Sequence, residues 1–294
     1  MRIFLRRLLT PLALAWALPA LAQPAAELPP RPALWKVADA DTTIWLFGTV
    51  HALPPGISWY QGEVATAFES ADELVTEIAE TEPSAMKAIV LEKALLPTGT
   101  SLRSQLAAAD RAKYEAALAS LKLPVDAMDR FEPWYAAITL ATLPIMRAGF
   151  VADNGAENVL ETRAGALSHR RGALETAEYQ LGLFDSLPPD VQQRYLMAIV
   201  TALPELSGDL GRIVEAWKVG DADNLAKLMN ENEDDPAVME ALLFQRNRSW
   251  ADWIKARLDK PGAVFLAVGA GHLAGPGSVQ DELSNRGLTP TRVQ

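Results

Sequence analysis

The chain has 294 residues, with 27 Lys and Arg against 37 Asp and Glu, a formal net charge of −10, three His and no Cys. With 49% apolar residues it can bury a sizeable core, which excludes disorder as its main state. The acidic balance argues against nucleic acid and anionic membrane surfaces as partners. The lack of Cys excludes disulfide frameworks, thiolate metal sites and a Cys nucleophile.

Arg2, Arg6 and Arg7 precede an apolar stretch at 8–18, followed by Pro19 and Ala20-Leu21-Ala22. This is the pattern of a secretory signal peptide at 1–22, cleaved after Ala22. The apolar run is too short for a stable span, so no membrane span is expected after cleavage. Loss of those three Arg leaves 24 basic and 37 acidic residues, a net charge of −13, on a chain expected in the periplasm or secreted. The Pro/Ala-rich stretch at 23–33 reads as a flexible leader, and 34–294 as one domain.

Apolar, β-branched and aromatic runs predict strands at 43–47, 73–78 and 263–268, with a weaker one at 172–174. Residues 34–37 are placed to form a hairpin with the first of these around Asp39–Asp41. Helical periodicity predicts helices at 101–121, 133–148, 156–169, 189–203, 210–219, 221–229 and 236–258. Few buried-looking strands among many helices imply α/β layers. The two strongest strands lie near opposite ends of the mature chain, which favours a single domain.

Two strands end alike. Residues 43–47 run into Gly48-Thr49-Val50-His51, and 263–268 run into Gly269-Ala270-Gly271-His272. Glycine allows close backbone approach at a strand's carboxyl end, where open α/β sheets bind ligands. His is the commonest neutral metal ligand and the usual general base near neutral pH. The bland alternative is a pair of His packed at turns. Glu77 closes the 73–78 strand, and a buried Glu there needs a cation, a metal or a hydrogen-bond cluster. Glu175 follows the weaker strand in the same way. In the 236–258 helix, Arg246 and Asn247 fall within the apolar stripe, so a carboxylate or ligand must satisfy them, while Arg248 is expected to be exposed.

His169, in a basic helix end, reads as structural. The acidic run 231–235 reads as a loop, and Trp59-Tyr60 as either core or the rim of a site. No Gly-x-Ser-x-Gly elbow, P-loop or His-Glu-x-x-His is present.

In order along the chain, the stretches Leu34–Val37, Trp45–His51, Phe131–Trp134, Leu174–Thr176, Leu183–Pro188, Arg246–Trp250 and Val268–Leu273 resemble the TraB/GumN family. That family groups with the TIKI metalloproteases, and more distantly with erythromycin esterases and the ChaN haem-binding proteins. The resemblance implies an α/β fold with a mixed central sheet, many helices, a helical middle region and a single domain. It implies a site built from His51, Glu77, Arg246, Asn247 and His272, and divalent-metal-dependent hydrolysis. Where many relatives carry Gly-x-Asp, this chain has Gly155-Ala156-Glu157.

The expectation is therefore an exported metal-dependent hydrolase, a peptidase acting on a peptide or small-molecule substrate. His51, His272 and Glu77 would bind Zn²⁺, Mn²⁺ or Co²⁺, with Glu77 also available as base. Arg246 or Asn247 would stabilise the oxyanion, and Glu175 would assist. The rivals are a non-catalytic protein that binds haem or another ligand in the same crevice, and a scaffold with a vestigial site.

Overall fold

The computed structural model describes residues 29–230 and 235–294. The expected signal peptide at 1–22, the expected leader up to residue 28 and positions 231–234 of the acidic run, which the sequence reads as a loop, lie outside the described residues. Within the leader, the Arg31 amide donates to the Lys218 carbonyl at 2.6 Å.

The sheet carries β1 (Leu34–Ala38), β2 (Thr42–Thr49), β3 (Glu73–Ile78), β4 (Arg170–Glu175), β5 (Gly262–Gly269) and β6 (Thr291–Arg292). Its order is β4-β3-β5-β2-β1-β6. The four strands β4, β3, β5 and β2 are parallel, and β1 runs antiparallel to β2 and β6. The sheet is thus mixed, and the 34–37 hairpin forms as expected. Strands β2 and β5 are nearly continuous apolar runs because parallel strands are buried on both faces.

The helices are α1 (Gly62–Glu69), α2 (Pro83–Lys93), α3 (Leu102–Gln105), α4 (Ala108–Ser120), α5 (Pro133–Arg147), α6 (Ala156–Leu167), α7 (Ala177–Asp185), α8 (Pro189–Ala202), α9 (Leu206–Lys218), α10 (Ala222–Asn230), α11 (Pro236–Met239), α12 (Gln245–Leu258) and α13 (Val279–Asn285). One face of the sheet packs Phe47, Leu74 and Phe265 against Phe68 of α1, Leu160 of α6 and Trp217 of α9. The other face packs Ile44, Leu46, Val75 and Leu266 against Trp250 and Ile254 of α12. The helical middle has its own core, built on Tyr114, Leu118, Leu140 and Leu196.

Two expected helices are interrupted. The 101–121 segment breaks between α3 and α4, where Leu106 adopts an extended backbone. The 236–258 segment contains a π turn at Glu240–Phe244. The extra residue of a π turn shifts the register of the helix that follows, and such turns concentrate at functional sites. This one immediately precedes Arg246 and Asn247.

Candidate functional site

Three neighbouring strands deliver the candidate residues. In β2 and β5, Gly48 pairs with Val268 and Thr49 with Gly269, so the two Gly-x-x-His motifs leave the sheet side by side. β3 flanks β5 on its other edge and brings Glu77 to the same end. A Cβ placed on Gly269 would lie 3.1 Å from Glu77 Oε1, 3.5 Å from His51 Nε2 and 3.6 Å from His272 Cδ2. Glycine here keeps the point where those three groups converge free of side chain.

The converging residues form two layers. The outer layer lines a pocket of about 680 Å³ that includes His51, Glu77, Glu157, Gln180, Glu80 and Asp153. The His51 side chain is 71% exposed, and its Nδ1 lies 2.6 Å from Glu157 Oε1. Thr49 Oγ1 donates to the same carboxylate oxygen. With Nδ1 held, Nε2 is the imidazole nitrogen left to react in the pocket.

Glu157 reaches this place because the N-terminus of α6 docks on the His51 turn. The Ala156 amide donates to the Val50 carbonyl at 3.0 Å. A Cβ on Gly155 would fall 2.2 Å from the His51 carbonyl oxygen, so only glycine permits the approach. As the second residue of α6, Glu157 also sits at the positive end of the helix dipole. It is Glu157 of the Gly155-Ala156-Glu157 stretch that makes the contact to His51.

The inner layer lies behind the pocket wall. Arg246 donates from Nε to Glu175 at 3.0 Å, and from Nη2 to Glu77 at 2.6 Å and Glu175 at 2.9 Å. From Nη1 it reaches the Leu242 carbonyl at 3.1 Å and His272 Nε2 at 3.0 Å. All its N–H groups are engaged. Glu175 also accepts from Trp250 Nε1 and Gln180 Nε2, each at 2.9 Å. Glu77 accepts the Gly269 amide at 2.6 Å and Gln180 Nε2 at 2.9 Å. Asn247, fully buried, takes His272 Nδ1 at 2.6 Å on its Oδ1 and donates Nδ2 to the Gly277 carbonyl at 2.7 Å.

The charges explain the proton affinities. The Glu157 carboxylate raises His51 to about 9 against the effect of burial, and Glu77 adds to the pull. Water on the open face of the ring screens part of that pull. Burial pushes His272 down to about 3, so it is neutral near pH 7. Burial alone would raise Glu77, but His272, Arg246 and His51 together hold it at about 2. Because His272 is uncharged near neutrality, Arg246 and the protonated His51 are the cations that keep Glu77 ionised there.

All six expected site residues therefore gather at one end of the sheet, but they are not equivalent. His51 and Glu77 face the pocket, whereas Glu175, Arg246, Asn247 and His272 form the wall behind it. Arg246 has every N–H committed, and Asn247 is fully buried with its amide turned to His272 and Gly277, so neither presents a donor to an oxyanion in the pocket. The His272 lone pair that would meet a metal accepts from a guanidinium instead. Among the described residues no group of three or more His, Asp or Glu is arranged to hold a metal ion. The residues as they stand do not fit the expected metal.

Sequence reasoning missed Thr49 and Gln180. Thr49 lies inside the first Gly-x-x-His motif, a signal that could have singled it out. Gln180 sits in α7, a helix the periodicity did not reveal. Trp59 is core: it is 2% exposed and stacks on Phe47 at 5.4 Å between ring centroids. Arg248, expected to be exposed, is partly exposed, with its side chain paired to Glu240.

The family model of the TraB/PrgY/gumN family matches residues 33–292, and the chain belongs to that family. No curated protein and no solved structure matches it.

Proposed function

We propose that the chain is a hydrolase in which His51, oriented by Glu157, moves the protons. The observation that carries this reading is the 2.6 Å contact between His51 Nδ1 and Glu157 Oε1, with Nε2 left to the pocket. A carboxylate on Nδ1 fixes the tautomer and steadies the imidazolium that forms during proton transfer. In its neutral form, Nε2 takes a proton from water as the water oxygen attacks a substrate carbonyl carbon. The imidazolium then pairs with the developing oxyanion and returns the proton to the leaving nitrogen or oxygen. The products are an acid and an amine or alcohol.

The pocket also bears on the substrate. Glu161 pairs with Arg171 at 3.2 Å, and Glu157 with His51. Glu80 and Asp153 line the same pocket and make no ion pair among the described residues. A peptide or small molecule that is neutral or cationic near the scissile bond matches that surplus of negative charge. From residues 1–22 we further propose that the protein acts after export, which cell fractionation of a tagged full chain tests. Among the described residues no helix is long and apolar enough to cross a membrane.

The test is hydrolysis of a blocked-peptide library and of p-nitrophenyl acetate by the purified protein in chelator. Turnover that His51→Ala abolishes supports the reading. Turnover that appears only on adding Zn²⁺, Mn²⁺ or Co²⁺ contradicts it in favour of metal-dependent hydrolysis. No turnover together with a Soret band on adding haemin favours a binding protein.

A further inference from the structure

We infer that His272 and Asn247 are positioning residues: the neutral imidazole, oriented by Asn247, holds the Arg246 guanidinium against Glu77 at the back of the pocket. Nδ1 of His272 faces Asn247 Oδ1 at 2.6 Å, an oxygen that can only accept, so Nδ1 carries the proton. The amide cannot be turned over, because its Nδ2 is committed to the Gly277 carbonyl at 2.7 Å. Nε2 must then be a bare acceptor, and it meets Arg246 Nη1, which can only donate, at 3.0 Å.

The surroundings reinforce this orientation. The His272 ring packs 4.3 Å from Trp250, and Arg246 stacks over the same indole at 4.7 Å. Gly277 has φ +73°, and a Cβ there would meet the Phe244 ring at 2.7 Å, so the loop that anchors Asn247 is locked against the π turn. The two Gly-x-x-His motifs thus divide the work. His51 faces solvent and transfers protons, and His272 is buried and fixes a cation that holds Glu77 ionised. A displaced Arg246 would leave two carboxylates without their counter-charge, which is costly in a buried cluster.

This inference rests on the reading of His51 as the reacting group, but its test does not depend on turnover. Imidazole-nitrogen NMR on the isotope-labelled full chain, with the three His assigned by single substitution, reports each tautomer. The expected result is an Nδ1-protonated His272 with a bare Nε2 across the neutral range, whose signals Zn²⁺ alone does not move. Movement of the His272 Nε2 signal by Zn²⁺ would overturn the inference, because it would make that nitrogen a ligand. Asn247→Leu should mix the tautomers and lower kcat about tenfold with KM within about twofold, and Asn247→Asp, which keeps the acceptor, should restore both. An Asn247→Leu protein with a single tautomer and unchanged kcat overturns the role of Asn247. If that variant fails to fold, the wild-type tautomer and the Zn²⁺ titration decide alone. A chain without hydrolase activity that still shows this tautomer would sink the functional reading and leave the positioning role standing.

Discussion

The carboxylate of Glu157 lies 2.6 Å from Nδ1 of His51, and Gly155 makes that approach possible. Two chain segments separated by about a hundred residues are thereby coupled in one proton-transfer unit. Its strength rests on the N-terminus of α6 being docked on the His51 turn.

Gly155→Ala should undo that docking. The added Cβ meets backbone at 2.2 Å, so α6 or the His51 turn must shift. The expected cost is about 1–3 kcal/mol of stability by overpacking, with a larger proportional loss of activity. Urea unfolding and kcat measured on the same preparation check this. An alanine variant with wild-type stability would show that the approach is less constrained than the geometry indicates.

Stability should depend on pH through His51 and Glu77. His51 is raised in the folded state from 6.5 to about 9, so its contribution is complete below 6.5 and is lost as pH climbs through 9. Glu77 is lowered from 4.5 to about 2, so its contribution holds above 4.5 and is lost as pH falls towards 2. Urea midpoints across pH should therefore decline above neutrality in the wild type, and His51→Gln should flatten that decline.

Arg246→Met should be among the most damaging single changes. It leaves Glu77 and Glu175 buried without their guanidinium, which typically costs about 3–5 kcal/mol. Adding Glu175→Gln should recover part of the loss, because one uncompensated charge is removed. Equal and additive losses in a double-mutant cycle would show that the cluster is not coupled.

Substrate charge should follow the pocket wall. Glu80→Lys and Asp153→Lys should weaken binding of a cationic substrate, raise its KM and leave kcat near the wild-type value. Raising ionic strength should shrink the difference, since screening acts on exposed charges. An unchanged KM in both variants would remove the charge argument for the substrate.

The parts of the fold that were legible in the sequence are those with strong periodicity or long apolar runs. Residues 73–78 form β3 with the same bounds, and 43–47 and 263–268 mark β2 and β5 to within two residues. The helices that were missed, α1, α2, α7 and α13, are at most eleven residues long. α2 has no buried residue, so it shows no apolar stripe to read. β6 has two exposed residues and exists only as a partner for β1.

At the site, residue types, strand-end spacing and the apolar stripe of the 236–258 helix were enough to nominate six residues. Their pairings were not legible, because they depend on which strands are neighbours and on the register change at the π turn. That is why Arg246 reads in the sequence as an oxyanion donor yet has every N–H committed in the folded chain. It is also why the two histidines look equivalent in the sequence, although one is open to solvent and the other is sealed behind Arg246.

The most direct test of the central claim is the pH dependence of kcat/KM for the wild type and Glu157→Gln, both in chelator. If His51 is the base and Glu157 raises its proton affinity, the wild type must lose activity as pH falls below the His51 pKa. Glu157→Gln should move that acidic limb to lower pH by about one unit or more, with a lower plateau. An acidic limb that stays in place when Glu157 is neutralised, or one that persists in His51→Ala, would contradict the account.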